Sequence, residues 1–495
     1  MVNENNRHII QRIICAIASL FLKVGLISLL FVVNANAAET KYVTPQMFGA
    51  AADGVTDDSD ALQSAIDSGY PVYLPEGEYY ITRPIRVYNK MNLWVQGSAK
   101  AVIHRKHDES QRAFLFNMQN CYYCMFRDLN ITSDMEGVGS IPNGHTRPSN
   151  RSSNILAFGG KANSNIFFYN NAFTNMESDY WFNDETDGWN NIVISGWVSR
   201  DSITAMFGQN CSDIYISNAD IVLNSEIAGD GDHCIYISDG SSKIRIKNST
   251  FDAGIGDYGE GSPNSVLTFH KTSNAAADAF VTDVTIESST IKGGRFLYGN
   301  CGNRETISVN NCQFEQTFSR GADYTGAFGG NANYKVLNSR IDVNTYTVTG
   351  TQGDNTGTVF YNCVINAEPL NTACFANATN LWVFNSDVNV GKLLLYNNES
   401  NLKSNVTFNN CSINSSGNSY LLSKRSKEGT IAVINCLIEN ANVAGNLVYN
   451  GKSTDMTGFT IRNCIINGYN TIANTANISN ASISNTYLNG ELINQ

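Results

Sequence analysis

One local pattern, apolar-x-apolar-x-Asn-x-x-apolar, recurs along this chain of 495 residues and constrains its fold more than any other feature. It reads Ile244-Arg-Ile-Lys-Asn248-Ser-Thr-Phe251, Ile307-Ser-Val-Asn-Asn311-Cys-Gln-Phe314 and Leu381-Trp-Val-Phe-Asn385-Ser-Asp-Val388. After Asn311 the marker falls at 338, 362, 385, 410, 435, 463 and 485, with gaps of 22 to 28 residues. A fixed signature at variable spacing excludes a coiled coil, where the period must hold. Alternation of period two predicts strands with one face buried. Asparagine suits the tight turn that follows, because it tolerates the left-handed region and bonds nearby backbone. Stacked coils bring these asparagines into a ladder, each amide bonding the next. About fourteen coils, spaced about 4.8 Å apart as parallel strands, make a solenoid roughly 65 Å long.

Composition agrees with repetition. The chain is longer than one compact core supports. Its eight prolines and forty glycines mark no linker, and 42% apolar residues argue against disorder. Cysteines Cys312, Cys363, Cys411, Cys436 and Cys464 each follow a marker asparagine. That recurrence predicts a row of small buried side chains rather than disulfides. Cys121 and Cys124 form a lone C-x-x-C without a second half, so no metal is expected, and no cofactor.

The first 38 residues read as a cleavable signal peptide. Arg7 and Arg12 precede an apolar run from Ile13 to Val33, and Ala35-Asn36-Ala37 supplies the small-residue cut, near Ala37. A membrane anchor is the alternative for this run, which Lys23 interrupts. The expected location is secreted or periplasmic, with no membrane attachment of the mature form. Losing Arg7, Arg12, Lys23 and Glu4 takes the net charge from −11 to −13. Such an acidic chain has little reason to bind nucleic acid. It also disfavours a polyanionic glycan unless local cations offset the field.

Residues 39–90 differ from the coils and are expected to cap them. Thr56 or Asp57 caps a helix with apolar face Ala61, Leu62, Ala65 and Ile66, which Gly69 ends. The helix plugs the open end of the stack. The stretch FGA-ADGVTDD-ALQ-AI, followed by VYLPEGEYYIT, resembles the opening of the pectate-lyase-like superfamily. The resemblance implies an all-β, right-handed parallel β-helix over residues 91–495, and action on polysaccharides by one of several chemistries. Members of that superfamily are monomers or trimers, so the oligomeric state stays open.

Extra length between markers points to loops, which carry function. The expected loops lie at about 131–153, 175–190 and 252–264. Trp181 and Trp189 fall in the second, with Asp187 beside them, and suit sugar rings and hydroxyls; core or loop packing is the competing reading. In Glu226-Ile-Ala-Gly-Asp230-Gly-Asp232-His233-Cys234, the two aspartates of an extended strand lie roughly 6.6–7 Å apart. That separation matches the acid and base of an inverting glycosidase, and His233 could relay a proton. An acidic turn before a strand is the bland alternative.

This segment is similar to the Gly-Asp-Asp-Cys strand start of polygalacturonases. Later coils echo the family's order but depart from its motifs: its Gly-His-Gly reads Gly254-Ile-Gly256 here, and its Arg-Ile-Lys reads Arg295-Phe-Leu297. Asp230, Asp232 and His233 are thus the expected catalytic residues of a glycoside hydrolase. Trp181, Trp189, Asp187, His270, Lys271 and Arg295 are the expected substrate contacts. A polysaccharide lyase or uronate epimerase is the second reading, with Lys271 and Arg295 as the basic pair. A non-catalytic glycan-binding or envelope-assembly protein is the third.

Overall fold

The computed structural model describes 41–106, 113–134, 155–183, 188–223, 233–253, 265–272, 275–300, 306–317, 326–344, 347–349, 357–367, 373–397, 404–417, 420–424, 429–449, 458–473 and 481–494. The described residues of Thr44–Gln495 form one unit, a right-handed parallel β-solenoid. One coil shows the plan. Asn190–Ser195 is followed by a turn at Gly196, then Val198–Ser202, then Met206–Gln209, and Ser212–Ser217 opens the next coil in register with Asn190–Ser195.

These three strand positions build three sheets. The sheet that carries the repeat motif has 16 strands, another 21, and the third nine, running from Ile85–Tyr88 to Phe328–Asn331. The solenoid makes about 12 regular turns, slightly fewer than the repeat suggests. The 16-stranded sheet also takes strands from coils that are incomplete among the described residues.

The marker residue does what its chemistry predicts. Asn338, Asn362, Asn385, Asn410, Asn435, Asn463 and Asn485 all have φ between 47° and 56°. Asp128 and Ser288 hold the same place with φ of 54° and 49°. Asn362 donates to Asn338 at 2.8 Å, Asn410 to Asn385 at 2.9 Å, and Asn463 to Asn435 and Asn485 to Asn463 at 3.0 Å each. A second ladder, four residues further on, links Asn389 to Asn366 and Asn414 to Asn389. All ten cysteines described are free and buried, Cys121 and Cys124 among them. Eight of these thiols sit against carbonyl oxygens, as in Cys436 to Ile434 at 3.1 Å.

Inside, each strand contributes alternate apolar residues. Phe116 stacks on Phe158 at 5.0 Å, and Phe158 on Tyr180 at 5.9 Å. The helix Ser59–Asp67 buries Ala61, Leu62, Ala65 and Ile66, the face expected of it. Its N-cap position is Asp58, not Thr56 or Asp57. The Asp58 carboxylate does not cap the helix but accepts from the Ala51 and Ala52 amides at 2.7 and 3.0 Å. A 3-10 turn at Pro45–Phe48 adjoins it.

Asn463 sits in the middle of three ladder rungs. Replacing it with Ala removes two amide bonds and forces a Cβ-bearing residue without a compensating amide into the left-handed region. Together these cost about 2–3 kcal/mol in denaturant unfolding. Asn463→Gly keeps the conformation and should lose about half as much. Equal losses for both would assign the effect to the amides alone.

Candidate functional site

Five successive strands of the nine-stranded sheet carry the site: β1 (Ser178–Asn183), β2 (Met206–Gln209), β3 (Ile235–Ser238), β4 (Ser265–His270) and β5 (Arg295–Asn300). Each points one residue outward between two that point in. Parallel register therefore lines up Trp181, Phe207, Tyr236, Thr268 and Tyr298 along the solenoid axis. Trp181 and Phe207 rings stack at 4.2 Å and 13°, Phe207 and Tyr236 at 5.1 Å and 8°. Rings stacked coil on coil spend faces on each other. They present mainly edges, and the Tyr236 hydroxyl, to solvent.

Polar groups border this floor on both sides. On the side where the chain enters the strands lie His233 and Arg295, both buried. The His233 Nδ1 lies 2.6 Å from the Ser265 carbonyl oxygen and 3.1 Å from Thr268 Oγ1. A carbonyl accepts only, so His233 Nδ1 donates to it. The Arg295 guanidinium lies 5.4 Å from the centroid of the Tyr298 ring.

On the exit side, His270 Nε2 lies 2.9 Å from the Tyr236 hydroxyl. Burial lowers the His270 pKa, although Asp239 opposes the shift. His270 Nε2 and the Tyr236 hydroxyl share one hydrogen bond, whose direction follows the ring's tautomer. Burial, Asp239 and Tyr298 push the Tyr236 phenol up to about 12. Asp239 is itself fixed, accepting from Thr272 N and Oγ1 at 2.6 and 2.8 Å and from Gln209 Nε2 at 3.2 Å. Lys271 Nζ lies 5.9 Å over the Phe280 ring.

Of the residues expected from sequence, Trp181, His233, His270 and Arg295 thus share one outer face, with Lys271 at its rim. Trp189 does not join them. It is fully buried, donates Nε1–H to the Gly160 carbonyl at 2.9 Å and stacks on Phe182 at 4.2 Å. It belongs to the core because it precedes a regular strand at an inward-facing corner. Much of the loop expected at 175–190 is strand β1, whose alternation sends Tyr180 and Phe182 inside and Trp181 out. Asp187, Asp230 and Asp232 lie outside the described residues. Phe207, Tyr236 and Tyr298 were missed; the signal was their place between inward apolar residues, as in Ile235-Tyr236-Ile237. Among the described residues no group of three or more His, Cys, Asp or Glu could hold a metal.

Beneath the floor, Asp179 is fully buried. It accepts Trp197 Nε1–H and the Ser202 hydroxyl, each at 2.8 Å. Burial outweighs these bonds and raises its pKa to about 7.

The architecture is a right-handed parallel β-helix whose nine-stranded sheet carries this flanked outer face. Residues 46–204 match the family described as "Rhamnogalacturonase A/epimerase, pectate lyase-like". Over those residues the chain is similar to the pectate-lyase-like β-helix superfamily. Pre-neck appendage proteins of Bacillus phages PZA and phi29 are each 43% identical over 61 residues, 12% of this chain and only 7% of their own length. The Azotobacter vinelandii mannuronan C-5 epimerase AlgE6 A-module is 14% identical, covering 90% of this chain and 99% of that one, with a TM-score of 0.43. A family 28 exopolygalacturonase of Yersinia enterocolitica is 12% identical, covering 92% and 80%, at 0.39.

Asp179 makes stability depend on pH. Its carboxyl titrates at about 7 folded and at its ordinary 3.8 unfolded, so the folded state holds the extra proton between these values. Stability should therefore fall as pH rises from about 4 to about 7, by up to about 4 kcal/mol, and level off above. Asp179→Asn should melt higher than the parent at pH 8, and the gap should close toward pH 4. A gap independent of pH would show that Asp179 is ionised in the fold.

Proposed function

We propose that this protein is an enzyme acting on a polysaccharide laid along the outer face of β1–β5. The observation that carries this reading is convergence. His233, His270, Arg295 and Trp181 come from four separate coils, yet border or form one floor with Tyr236. Ring edges give that floor an apolar surface for sugar C–H groups, and the flanking polar groups offer hydrogen bonds. The match of residues 46–204 to a family of rhamnogalacturonase and epimerase relatives supports a glycan as substrate.

Hydrolysis is the leading chemistry. In this reading Asp230 and Asp232 act as acid and base, and His233, which follows them at the floor's edge, relays a proton through Nε2. Incubation with neutral and acidic polysaccharides should yield new reducing ends without ultraviolet absorbance. Asp232→Asn should lower kcat about 100-fold or more while leaving the fold intact. Full activity in that variant removes these carboxylates from the mechanism.

One observation favours a second reading, elimination or epimerisation at a uronate. The Tyr236–His270 pair has the form of a proton-transfer unit, and Arg295 could hold a sugar carboxylate. Then Tyr236→Phe should abolish turnover, and products of elimination should absorb near the ultraviolet band of unsaturated uronates. Binding without turnover on every polysaccharide would leave the non-catalytic reading. A secreted or periplasmic location follows from residues 1–38 as a signal peptide. N-terminal sequencing of the exported protein should begin near Ala38, and an intact N-terminus would overturn this.

A further inference from the structure

A different face of the solenoid carries a second set of aromatic side chains. On the outside of the 16-stranded sheet, register aligns Trp94, Met125, Phe167, Val193 and Tyr215 along the axis. Trp94 and Tyr215 are 43% and 40% exposed. Phe167 is half-buried, and its ring runs parallel to that of Tyr169 on the same strand.

The arrangement differs from the floor of β1–β5 in a way that changes its chemistry. There, rings in adjacent coils stack on one another. Here, an aromatic ring occurs in every second coil, with Met125 or Val193 between. The separation is about 9.6 Å, twice the strand spacing. Rings that far apart cannot stack on each other along the axis. Their spacing fits a pair of linked sugar rings.

The borders of the row carry amides and hydroxyls. Asn191 donates to Asn165 at 2.5 Å on one side. On the other side a cavity of about 640 Å³ opens, lined in part by Tyr73, Gln96, Asp128, Asn130 and Asn170. Its one carboxylate is already satisfied, accepting from Arg127 Nε at 2.8 Å and Asn170 Nδ2 at 3.1 Å. The row holds no charged residue from Trp94 to Tyr215; Arg245 takes the position in the next coil, paired with Asp283.

We infer that this face is a second glycan-binding site, separate from the groove of β1–β5 and specific for uncharged polysaccharide. Aromatic rings at two-coil intervals hold sugar faces. The neighbouring amides and the cavity take hydroxyls or a branch, and a surface without unpaired cations gives a uronate no counter-ion. The inference rests on the reading that the protein handles glycans, and places a holding site beside the reacting one.

The test is affinity electrophoresis of the full chain in gels containing galactomannan, dextran or xyloglucan, with polygalacturonate as the acidic control. At least one neutral polymer should retard the protein more than polygalacturonate does. The double variant Trp94→Ala/Tyr215→Arg should weaken that retardation five-fold or more. Tyr215→Arg copies the residue that the next coil carries in register, so the sheet accommodates it, and circular dichroism checks the fold. Retardation unchanged in the double variant, or no retardation by any neutral polymer, overturns the site. If retardation disappears only in Tyr236→Phe, binding belongs to the groove and the glycan reading survives. Absence of both retardation and turnover would remove the two together.

Discussion

Everything in this protein depends on the parallel pairing of each coil with the next, locked in register by a left-handed turn residue. A strand that slips by one residue would send its core side chains to solvent. The asparagine at the turn prevents slippage twice over, by accepting the left-handed backbone at low cost and by binding the asparagine of the neighbouring coil. Coils of 22 to 28 residues therefore stack although their loops differ. The core needs only rough apolar volume, and Ile, Val, Phe and Cys exchange freely along it.

The same pairing turns sequence into surface. Any outward residue is repeated every coil, so a solenoid displays rows rather than points. Two rows matter here. Along β1–β5 the rings are adjacent and consume one another's faces, leaving a smooth floor flanked by His233 and Arg295 on one side and His270 on the other. Along the 16-stranded sheet they alternate with Met125 and Val193, and the spacing itself becomes the recognition feature. Ring count is similar; ring interval decides the chemistry.

Legibility followed periodicity. The marker asparagines, the strands, the row of free cysteines and the buried face of the helix were all readable, since each rests on local pattern and repeats. The second asparagine ladder, Asn366, Asn389 and Asn414, was equally periodic but went unread, because an outward asparagine between two buried strand residues carries no turn signature of its own. The site was only partly legible. His233 was found within the acidic segment before Cys234, Arg295 through a motif resemblance, and His270 as a singleton. Tyr236 was not, because its importance comes from His270, 34 residues away, and no local pattern announces that contact. Trp189 illustrates the reverse error, where a clustered tryptophan suggested a binding loop but the corner before its strand points inward.

The sequence by itself determined the architecture: period-two alternation and a recurring left-handed turn leave little except stacked parallel coils. It also showed that coil spacing becomes irregular in the N-terminal half. Only the tertiary structure decided which aromatic faces are spent on each other, which tryptophan is core, and which groups the histidines meet. Those depend on neighbours one or two coils distant, and coil length between them varies. Contacts across that variable distance are set by register, which a linear reading of residues does not contain.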